Sequence, residues 1–418
     1  MKVLHVITGL GVGGAELQLR SLLRHTRHDA DVVTLYNPGA VAEMIVGEGG
    51  RVRDLGMTRN TEVGTLARLT RLMRADRYDV VHTHLYRSCV YGRFAARLAG
   101  VPVVVATEHS IGETHLERRR MTVGVRALYL GSDVCSDATI AVSPAVRERL
   151  VRWGVPDRKI EIIPNGLDLG RAAADPVAGA AVRAELGLPA DAAVVGVLGR
   201  FDPTKRFDLV IEAAAGLLGP GRRLLVVGDG EERAHLEGVA RAHRVAPWVT
   251  FAGERHDVGA VLSALDLFIA SSAQETFGLS VLEALSNGVP VLYTTCPALE
   301  GLVTERARQV PGEVDGMRAA IAEELDARRP RRSEPVVQER YDMAAVTERI
   351  DDLYDRLAAR RRAASRVRVT EVSASAVPVP QAAPPPAPSP EPAPGPSPEP
   401  TPAPAPAAAS PSRSSGGA

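Results

Sequence analysis

Four side chains in the second half of the sequence carry the charge and spacing that chemistry needs. Arg200 ends the β-like run AAVVGVLG, and Lys205 follows in the turn before the amphipathic stretch RFDLVIEAAAGL. Lysine is scarce: only Lys2, Lys159 and Lys205 occur among fifty Lys plus Arg. An ammonium suits phosphate oxygens as a point charge, and a guanidinium adds a planar fork. Read singly, each is also what a solvated surface cation looks like. The second pair lies in SSAQETFGLSVLEALSNGVPVL, residues 271–292. Glu275 falls in a loop after a strand, and Gly278 opens a helix. The amides around Phe277, Gly278 and Leu279 then stand free at the helix start, where anions bind. Glu283 lies among Val281, Leu282, Ala284 and Leu285, where a carboxylate is costly without a partner. A ligand with both hydroxyls and a diphosphate, such as a sugar nucleotide, would be divided over this set. Its hydroxyls would go to the carboxylates, and its phosphates to the amides and cations.

A glycine loop near the N-terminus invites a different reading. TGLGVGGAE, residues 8–16, contains Gly9-x-Gly11-x-x-Gly14 after a strand and before a helix, the literal dinucleotide fingerprint. That fingerprint also needs a carboxylate at the end of the second strand for the ribose. Here VVTLYNPG offers only Asn37, so the dinucleotide reading fails its own check. What remains is a loop whose backbone can approach a ligand, or one that packs a strand tightly on a helix. The three glycines before Glu16 favour ligand contact. His82 and His84 form an i, i+2 pair on one face of a strand. No third ligand stands near them in sequence, so structural or cleft-lining roles are favoured over a metal.

The elements that must position these groups alternate. KVLHVIT, ADVVTLY, YDVVHTH, VPVVVAT and ATIAVS read as buried parallel strands, separated by amphipathic stretches such as GAELQLRSLLRHT and TLARLTRLMRAD. After IEIIPNGLD and an Ala-rich stretch from Arg171 to Ala184, which suits a connection, the alternation restarts. AAVVGVLGR, RRLLVVGDG, WVTFAGE, LDLFIASS and GVPVLYTT are the second strand series. The fold class is therefore α/β, with two Rossmann-like doubly wound domains facing a cleft. Residues 1–168 would form the first domain, 169–340 the second, and 341–362 a helix crossing back to the first. Sixteen of the 31 prolines fall between Pro378 and Pro411, so residues 363–418 are expected as a disordered, polyproline-like tail.

Bulk composition narrows the partners. The 418 residues carry a formal net charge of zero, which argues against nucleic acid bound by bulk charge. Three widely spaced cysteines without a CxxC argue against a disulfide framework or zinc site and suit a reducing cytosol. The opening MKVLHVITGL is too short for a signal peptide, and no apolar run is long enough to span a membrane.

Taken together and in order, the motifs resemble a known family. They are GGAE (13–16), DVVHTH (79–84), ATEHS (106–110), IIPNGLD (162–168), GRFDPTKRFDLVIEA (199–213), VVGDGEER (226–233), FAGERHDV (251–258) and ETFGLSVLEALSNGVPV (275–291). Glu275 and Glu283 stand in the E-x7-E spacing of the retaining glycosyltransferases of family 4, which have the GT-B fold. The resemblance implies a nucleotide-diphosphate sugar on the second domain and a glycan, lipid-linked or small-molecule acceptor on the first. It implies that Arg200 and Lys205 bind the donor diphosphate, Glu283 the ribose and Glu275 the hydroxyls of the transferred sugar. Gly13 and Gly14 would face the phosphates or acceptor, and His109 the sugar. No bound metal or cofactor is implied, because cations and helix dipole take that place. No protein nucleophile is implied either, since retention in this family is pictured as front-face attack assisted by the leaving phosphate.

The chain departs from the family after GVPVLYTT. CPALEGLVTERARQVPGEVDG replaces a glycine-rich turn and PE helix start, leaving the sugar identity open. HLERRRMTVGVRALYLGS, residues 115–132, combines Arg118, Arg119, Arg120 and Arg126 with Met121, Val125, Leu128 and Tyr129. It reads either as a basic amphipathic helix resting on an anionic bilayer or as an ordinary surface helix. Two rivals share the fold class: a sugar-nucleotide epimerase, and a non-catalytic binding protein using the Pro-rich tail for partners.

Overall fold

The computed structural model describes residues 1–59, 62–111, 115–116 and 119–374, together with Gly395 and Ala403. Met1–Val367 form one compact unit; of Arg368–Ala418, the described residues are the end of the last helix, Gly395 and Ala403. The expected disordered tail from 375 on falls almost wholly outside the described residues.

The first sheet is parallel. Its strands are β1 (Lys2–Ile7), β2 (Asp29–Thr34), β3 (Arg51–Asp54), β4 (Val80–His84), β5 (Val103–Glu108), β8 (Ala138–Ala141) and β9 (Ile160–Ile162), in the order β3-β2-β1-β4-β5-β8-β9. Between β5 and β8, β6 (His115–Leu116) and β7 (Arg119–Arg120) pair as an antiparallel ribbon. The second sheet contains β10 (Ala193–Leu198), β11 (Arg222–Val227), β12 (Val249–Gly253), β13 (Leu267–Ala270), β14 (Val291–Tyr293) and β15 (Ala307–Gln309), in the order β12-β11-β10-β13-β14-β15. In both sheets the order reverses beside the first strand of the series, and loops at such a switch point are where α/β sheets bind ligands. This is the two-domain α/β architecture that the strand alternation predicts.

Register brings the histidines together. β1 pairs with β4 so that His5 lies opposite His82 and Ile7 opposite His84, while β5 sets Thr107 opposite His84. Parallel partners point to the same face, so His5, His82, His84 and Thr107 share one side of the sheet. That side is covered by the C-terminal helix Met343–Ala374, through Met343, Val346, Ile350, Leu353 and Tyr354 packed with Val3, Val80, Val103 and Ile140. The apolar i, i+4, i+7 stripe on this helix explains its docking. Another buried cluster joins Tyr86, Ile111 and Tyr129 of the first half to Phe277, Val281 and Tyr341 of the second.

Three local expectations change. The Ala-rich stretch is not an open connection: Asp175 caps a helix, Pro176–Glu185, which packs on the helix Val258–Ser263. Gly179 makes this approach feasible, because a Cβ there would lie 2.6 Å from the Ser263 carbonyl oxygen. Residues 115–132 are not one basic helix. The β6–β7 ribbon takes Arg119 and Arg120, and the helix is only Val123–Asp133, capped by the Thr122 hydroxyl; Arg118 lies outside the described residues. The final helix runs past 362 to Ala374.

Candidate active site

The turn carrying Lys205 is built by short polar contacts. The Asp202 carboxylate accepts from the Thr204 amide (2.9 Å) and hydroxyl (2.6 Å), capping the 3-10 turn Pro203–Lys205. The Ser271 hydroxyl donates to the Lys205 carbonyl at 2.7 Å, and the Ala273 amide donates to the Thr204 carbonyl at 2.8 Å. The loop after β10 is thereby fastened to the end of β13. Gly228 and Gly230 let the neighbouring loop close in, since Cβ atoms there would meet the Gly199 oxygen at 1.9 Å and the Phe201 oxygen at 2.4 Å. Arg200 is exposed at the same strand end. Asp202 is held below the ordinary carboxylate range: burial pushes it up, and the Thr204 bonds with the charges of Arg200 and Lys205 more than reverse that.

Lys205 and Glu275, expected to serve different parts of one ligand, are bonded to each other. The Lys205 ammonium donates to Glu275 Oε2 at 2.8 Å, and the two side chains are 28% and 19% exposed. The Thr276 amide donates to Glu275 Oε1 at 3.1 Å. Burial pushes the Glu275 carboxyl up, but the Lys205 charge and hydrogen bond bring it below its usual value.

The helix Leu279–Asn287 begins at Gly278, whose φ of +103° is left-handed. A Cβ at Gly278 would also sit 2.5 Å from Cys296 Sγ, so the position needs glycine twice over. Phe277 turns its ring into the core, edge-on to Tyr341 with centroids 5.4 Å apart, so it offers a ligand only its backbone. The Cys296 thiol, in the segment that departs from the family pattern, thus lies beneath the helix start. Glu283 finds its partner in Arg171, 3.8 Å away. Burial still pushes the Glu283 carboxyl above its usual value; Arg171 acts against this and Asp168 with it.

The first half meets this loop directly. The Thr276 hydroxyl donates to the His109 carbonyl at 2.8 Å, and the Ser143 hydroxyl donates to the Thr276 carbonyl at 2.7 Å. Arg149 donates to the Ile111 carbonyl at 3.1 Å. Gly13 caps the helix Gly14–His25, and a Cβ at Gly14 would lie 3.6 Å from Leu279 Cδ1. The glycine loop therefore sits against the start of the Leu279 helix. The fold brings together Lys205, Glu275, Gly278, Leu279 and Gly14 along these contacts; His109 joins them by its backbone carbonyl, while its ring is buried against His84. Glu283 stands apart, deeper in its helix beside Arg171 and Asp168.

Behind His109 lies a group of imidazoles. His109 Nε2 is 3.3 Å from His84 Nδ1, and His84 Nε2 is 3.1 Å from His5 Nδ1. His82 bonds Tyr354 through Nδ1 (2.5 Å) and Thr107 through Nε2 (2.6 Å). Burial drives all four down, His5 to about 3, His109 to about 4, and His82 and His84 well below their usual value, so the rings are neutral at neutral pH. The sequence shows no third nitrogen near His82 and His84, but the fold supplies His5. These three do not suit a metal. One nitrogen from each of the three rings lies within 4.8 Å of the others, but both His82 nitrogens are already hydrogen-bonded, to Tyr354 and Thr107.

Sequence reasoning missed His5, Ser143, Arg149, Arg171 and Thr276. A histidine inside the apolar run KVLHVIT was the one visible signal, because such a group must find a buried partner.

Comparison with known proteins gives the family and the fold. Residues 12–171 match the model of glycosyltransferase family 4, and residues 180–328 that of glycosyl transferases group 1. The Escherichia coli UDP-Gal:alpha-D-GlcNAc-diphosphoundecaprenol alpha-1,3-galactosyltransferase is 31% identical over 56% of this chain and 62% of its own length. A GDP-mannose-dependent alpha-mannosyltransferase of Mycobacterium tuberculosis is 30% identical over 70% of this chain and 78% of its own. In fold, the chain resembles Anabaena HepE in complex with UDP-glucose, with a TM-score of 0.75 at 23% identity, covering 85% of this chain and 99% of that one. The two matched halves, each with its own sheet and meeting at the Thr276–His109 contact, place the chain among the glycosyltransferases of family 4 type, with the GT-B fold.

Proposed function

We propose that the protein transfers a sugar from a nucleotide-diphosphate sugar to a glycan, lipid-linked or small-molecule acceptor, with retention of anomeric configuration. The observation that carries this reading is the Lys205–Glu275 pair at a strand end, in the loop that leads into the helix Leu279–Asn287 and tied through Thr276 to the His109 carbonyl. The donor diphosphate would draw Lys205 and Arg200, together with the amides of Phe277, Gly278 and Leu279. As the sugar–oxygen bond lengthens, negative charge grows on the phosphate, and fixed cations stabilise it without reorganisation. Glu275 would orient the sugar hydroxyls. No protein nucleophile is proposed: attack would be on the front face, with the leaving phosphate taking the acceptor proton. Neutral His109 would hydrogen-bond the sugar, and Glu283 the ribose. Gly13 and Gly14 would line the acceptor side.

Two cations and the helix dipole supply the positive charge here, so we propose that transfer needs no divalent ion. The donor supports seen in relatives and structural neighbours, UDP-galactose, GDP-mannose and UDP-glucose, favour a sugar nucleotide without fixing its base. The undecaprenol-linked acceptor named for the E. coli relative supports a lipid-linked acceptor and a role in envelope polysaccharide synthesis. Among the described residues no helix is long and apolar enough to cross a membrane. A cytoplasmic site with peripheral contact at the membrane fits such an acceptor, and Val123 and Leu128 of the Val123–Asp133 helix are exposed apolar side chains available for it. Sedimentation with anionic vesicles tests this contact; a protein that stays in the supernatant refutes it.

The functional test is a thermal-shift panel of UDP-, GDP- and ADP-sugars on the wild type and Lys205→Ala, with and without EDTA. One nucleotide should stabilise the wild type alone, EDTA notwithstanding. No shift by any of them, with no transfer or slow donor hydrolysis, would overturn the assignment.

A further inference from the structure

From Val281 to Pro290 every residue but Glu283 is buried. The Glu283 side chain keeps 16% exposure, so its carboxylate reaches the surface from a helix that is otherwise core. Its charge is met by Arg171, whose Nη1 stands 3.8 Å from Glu283 Oε1. That distance gives attraction without a hydrogen bond. Among the described residues nothing donates a hydrogen bond to Glu283, whereas both oxygens of Glu275 accept one. Arg171 is placed by its backbone. The Asp168 carboxylate accepts from the Arg171 amide at 3.1 Å and caps the turn Leu169–Ala172. Asn287, one helical turn after Glu283, donates to the carbonyls of Ala172 (3.0 Å) and Ala173 (3.1 Å). Behind the turn, a Cβ at Gly259 would lie 2.6 Å from the Arg171 carbonyl oxygen, so the helix Val258–Ser263 closes against it. From the first half, Arg24 donates to Asp168 Oδ2 at 3.1 Å, and the Gln18 side chain exchanges bonds of 2.6 and 2.9 Å with the Gly166 backbone.

We propose that Arg171 is a positioning residue for Glu283, holding its carboxylate charged and unbonded for the nucleotide ribose. The ribose part of this rests on the role proposed above for Glu283; the hold exerted by Arg171 does not. A ribose presents two vicinal hydroxyls, and a carboxylate can accept from both, one at each oxygen. A protonated carboxyl cannot, because one oxygen then carries a proton of its own. Burial favours that protonated form, and the Arg171 charge opposes it. Of the elements packed on the helix Leu279–Asn287, the charged groups that act on Glu283 are Arg171 and Asp168, from the turn Leu169–Ala172 and its cap. Asp168 works against the carboxylate, but its own oxygens are taken by Arg24 and the Arg171 amide. A partner at 3.8 Å is suited to this task. A closer, hydrogen-bonded cation would occupy an oxygen that the ribose needs.

The test has two readouts on the full-length protein, for the wild type, Arg171→Leu and Arg171→Lys. The first is a 13C titration of the glutamate carboxyls, with Glu283→Gln marking the Glu283 signal. Arg171→Leu should move that titration to higher pH, and Arg171→Lys, which keeps the charge, should bring most of it back. The second is calorimetry between pH 6 and pH 8.5, using whichever of UDP, GDP and ADP stabilises the wild type, and its 2′-deoxy analogue. The wild type should prefer the ribonucleotide. Arg171→Leu should bind it about threefold to tenfold more weakly toward pH 6, with the gap closing as pH rises, and should lose less affinity for the 2′-deoxy analogue. A merely structural role would weaken both ligands alike at every pH. A Glu283 titration that Arg171→Leu leaves in place overturns the proposal, and so does Arg171→Lys behaving as Arg171→Leu. If the titration moves as stated while the wild type binds ribo- and 2′-deoxynucleotide equally, the hold on Glu283 stands and its ribose role falls. If no nucleotide binds, the function proposed above falls, and the titration still decides the role of Arg171.

Discussion

Lys205→Ala separates the two things that this ammonium does. The Lys205–Glu275 contact is 2.8 Å long and mostly out of water. At an effective dielectric of about 20 the gross attraction at that distance is roughly 6 kcal/mol. Desolvation of both groups and their residual exposure offset most of it, leaving a cost of about 1–3 kcal/mol when one partner is removed. That is a fall of about 2–4 °C in Tm for each kcal/mol in a domain of this size. Activity should fall further, about 100-fold to 1,000-fold, if the ammonium also meets charge that grows in the transition state. The double variant Lys205→Ala with Glu275→Gln distinguishes the two effects. It carries no uncompensated carboxylate, so it should regain part of the lost stability, yet recover no transfer. The pH dependence follows with a definite sign. In the wild type the Glu275 carboxyl is depressed, so the pair stabilises above the unfolded pKa and is lost as pH falls through the folded one. Without Lys205, burial is unopposed and raises that carboxyl. The deficit of the single variant is then full at neutral pH and shrinks as acid protonates Glu275. Thermal unfolding at pH 7.5 and pH 5, with transfer assays beside it, reads all of this. A single variant as stable as the wild type, or a double variant no more stable than the single, would refute the reasoning on the pair. Near-wild-type transfer by the single variant would refute the diphosphate role.

Glu283→Gln should raise Tm at pH 7.5, because burial disfavours the charged form and that penalty sets in as pH rises above the unfolded pKa and is complete above the folded one; it should also weaken donor binding, measured by calorimetry. Gly278→Ala forces a side chain into left-handed φ and onto Cys296 Sγ, so a loss of about 2–4 kcal/mol and of donor binding is expected from unfolding curves and titration. Acid should unfold the protein steeply. His5, His82, His84 and His109 all have folded values below their unfolded one, so the stability that they contribute is whole above about pH 6.5 and falls below it. The slope approaches about 5 kcal/mol per pH unit once all four would protonate on unfolding, and urea midpoints at pH 7, 6 and 5 measure it.

The strands of both sheets were legible because a parallel strand buried on both faces leaves a continuous apolar run, as in VPVVVAT and RRLLVV. β3 and β15 were not: RVRD and ARQ are edge strands with no such signature. The Ala-rich stretch hid a helix because alanine and glycine carry little amphipathic pattern, although Asp175 followed by Pro176 was a readable start signal. The basic run at 118–120 misled because charge periodicity alone cannot distinguish a helix from a short ribbon. At the site, residue types were legible and partnerships were not. Glu275 and Lys205 are separated by 70 residues in sequence, and only the return of β13 beside β10 places one against the other.

That partnership gives the site a built-in order of events. Before a donor arrives, Lys205 neutralises Glu275, and Thr276 hangs the same loop on the first domain through the His109 carbonyl. In the function proposed, a diphosphate would compete for the ammonium, and Glu275 would then be free to bind sugar hydroxyls as they come within reach. The loop that would change partner is also the loop that meets His109, Ser143 and Arg149, so occupancy of the second domain would be felt at the first through three hydrogen bonds rather than through a long path. Thr276→Val removes the hydroxyl with little change in volume. If coupling runs through this contact, the variant should bind the donor with nearly unchanged affinity, yet transfer more slowly and hydrolyse a larger share of it to free sugar. Equal transfer and hydrolysis to the wild type would mean that the two halves are brought into line elsewhere, by the core that joins Tyr86 and Tyr129 to Phe277 and Tyr341.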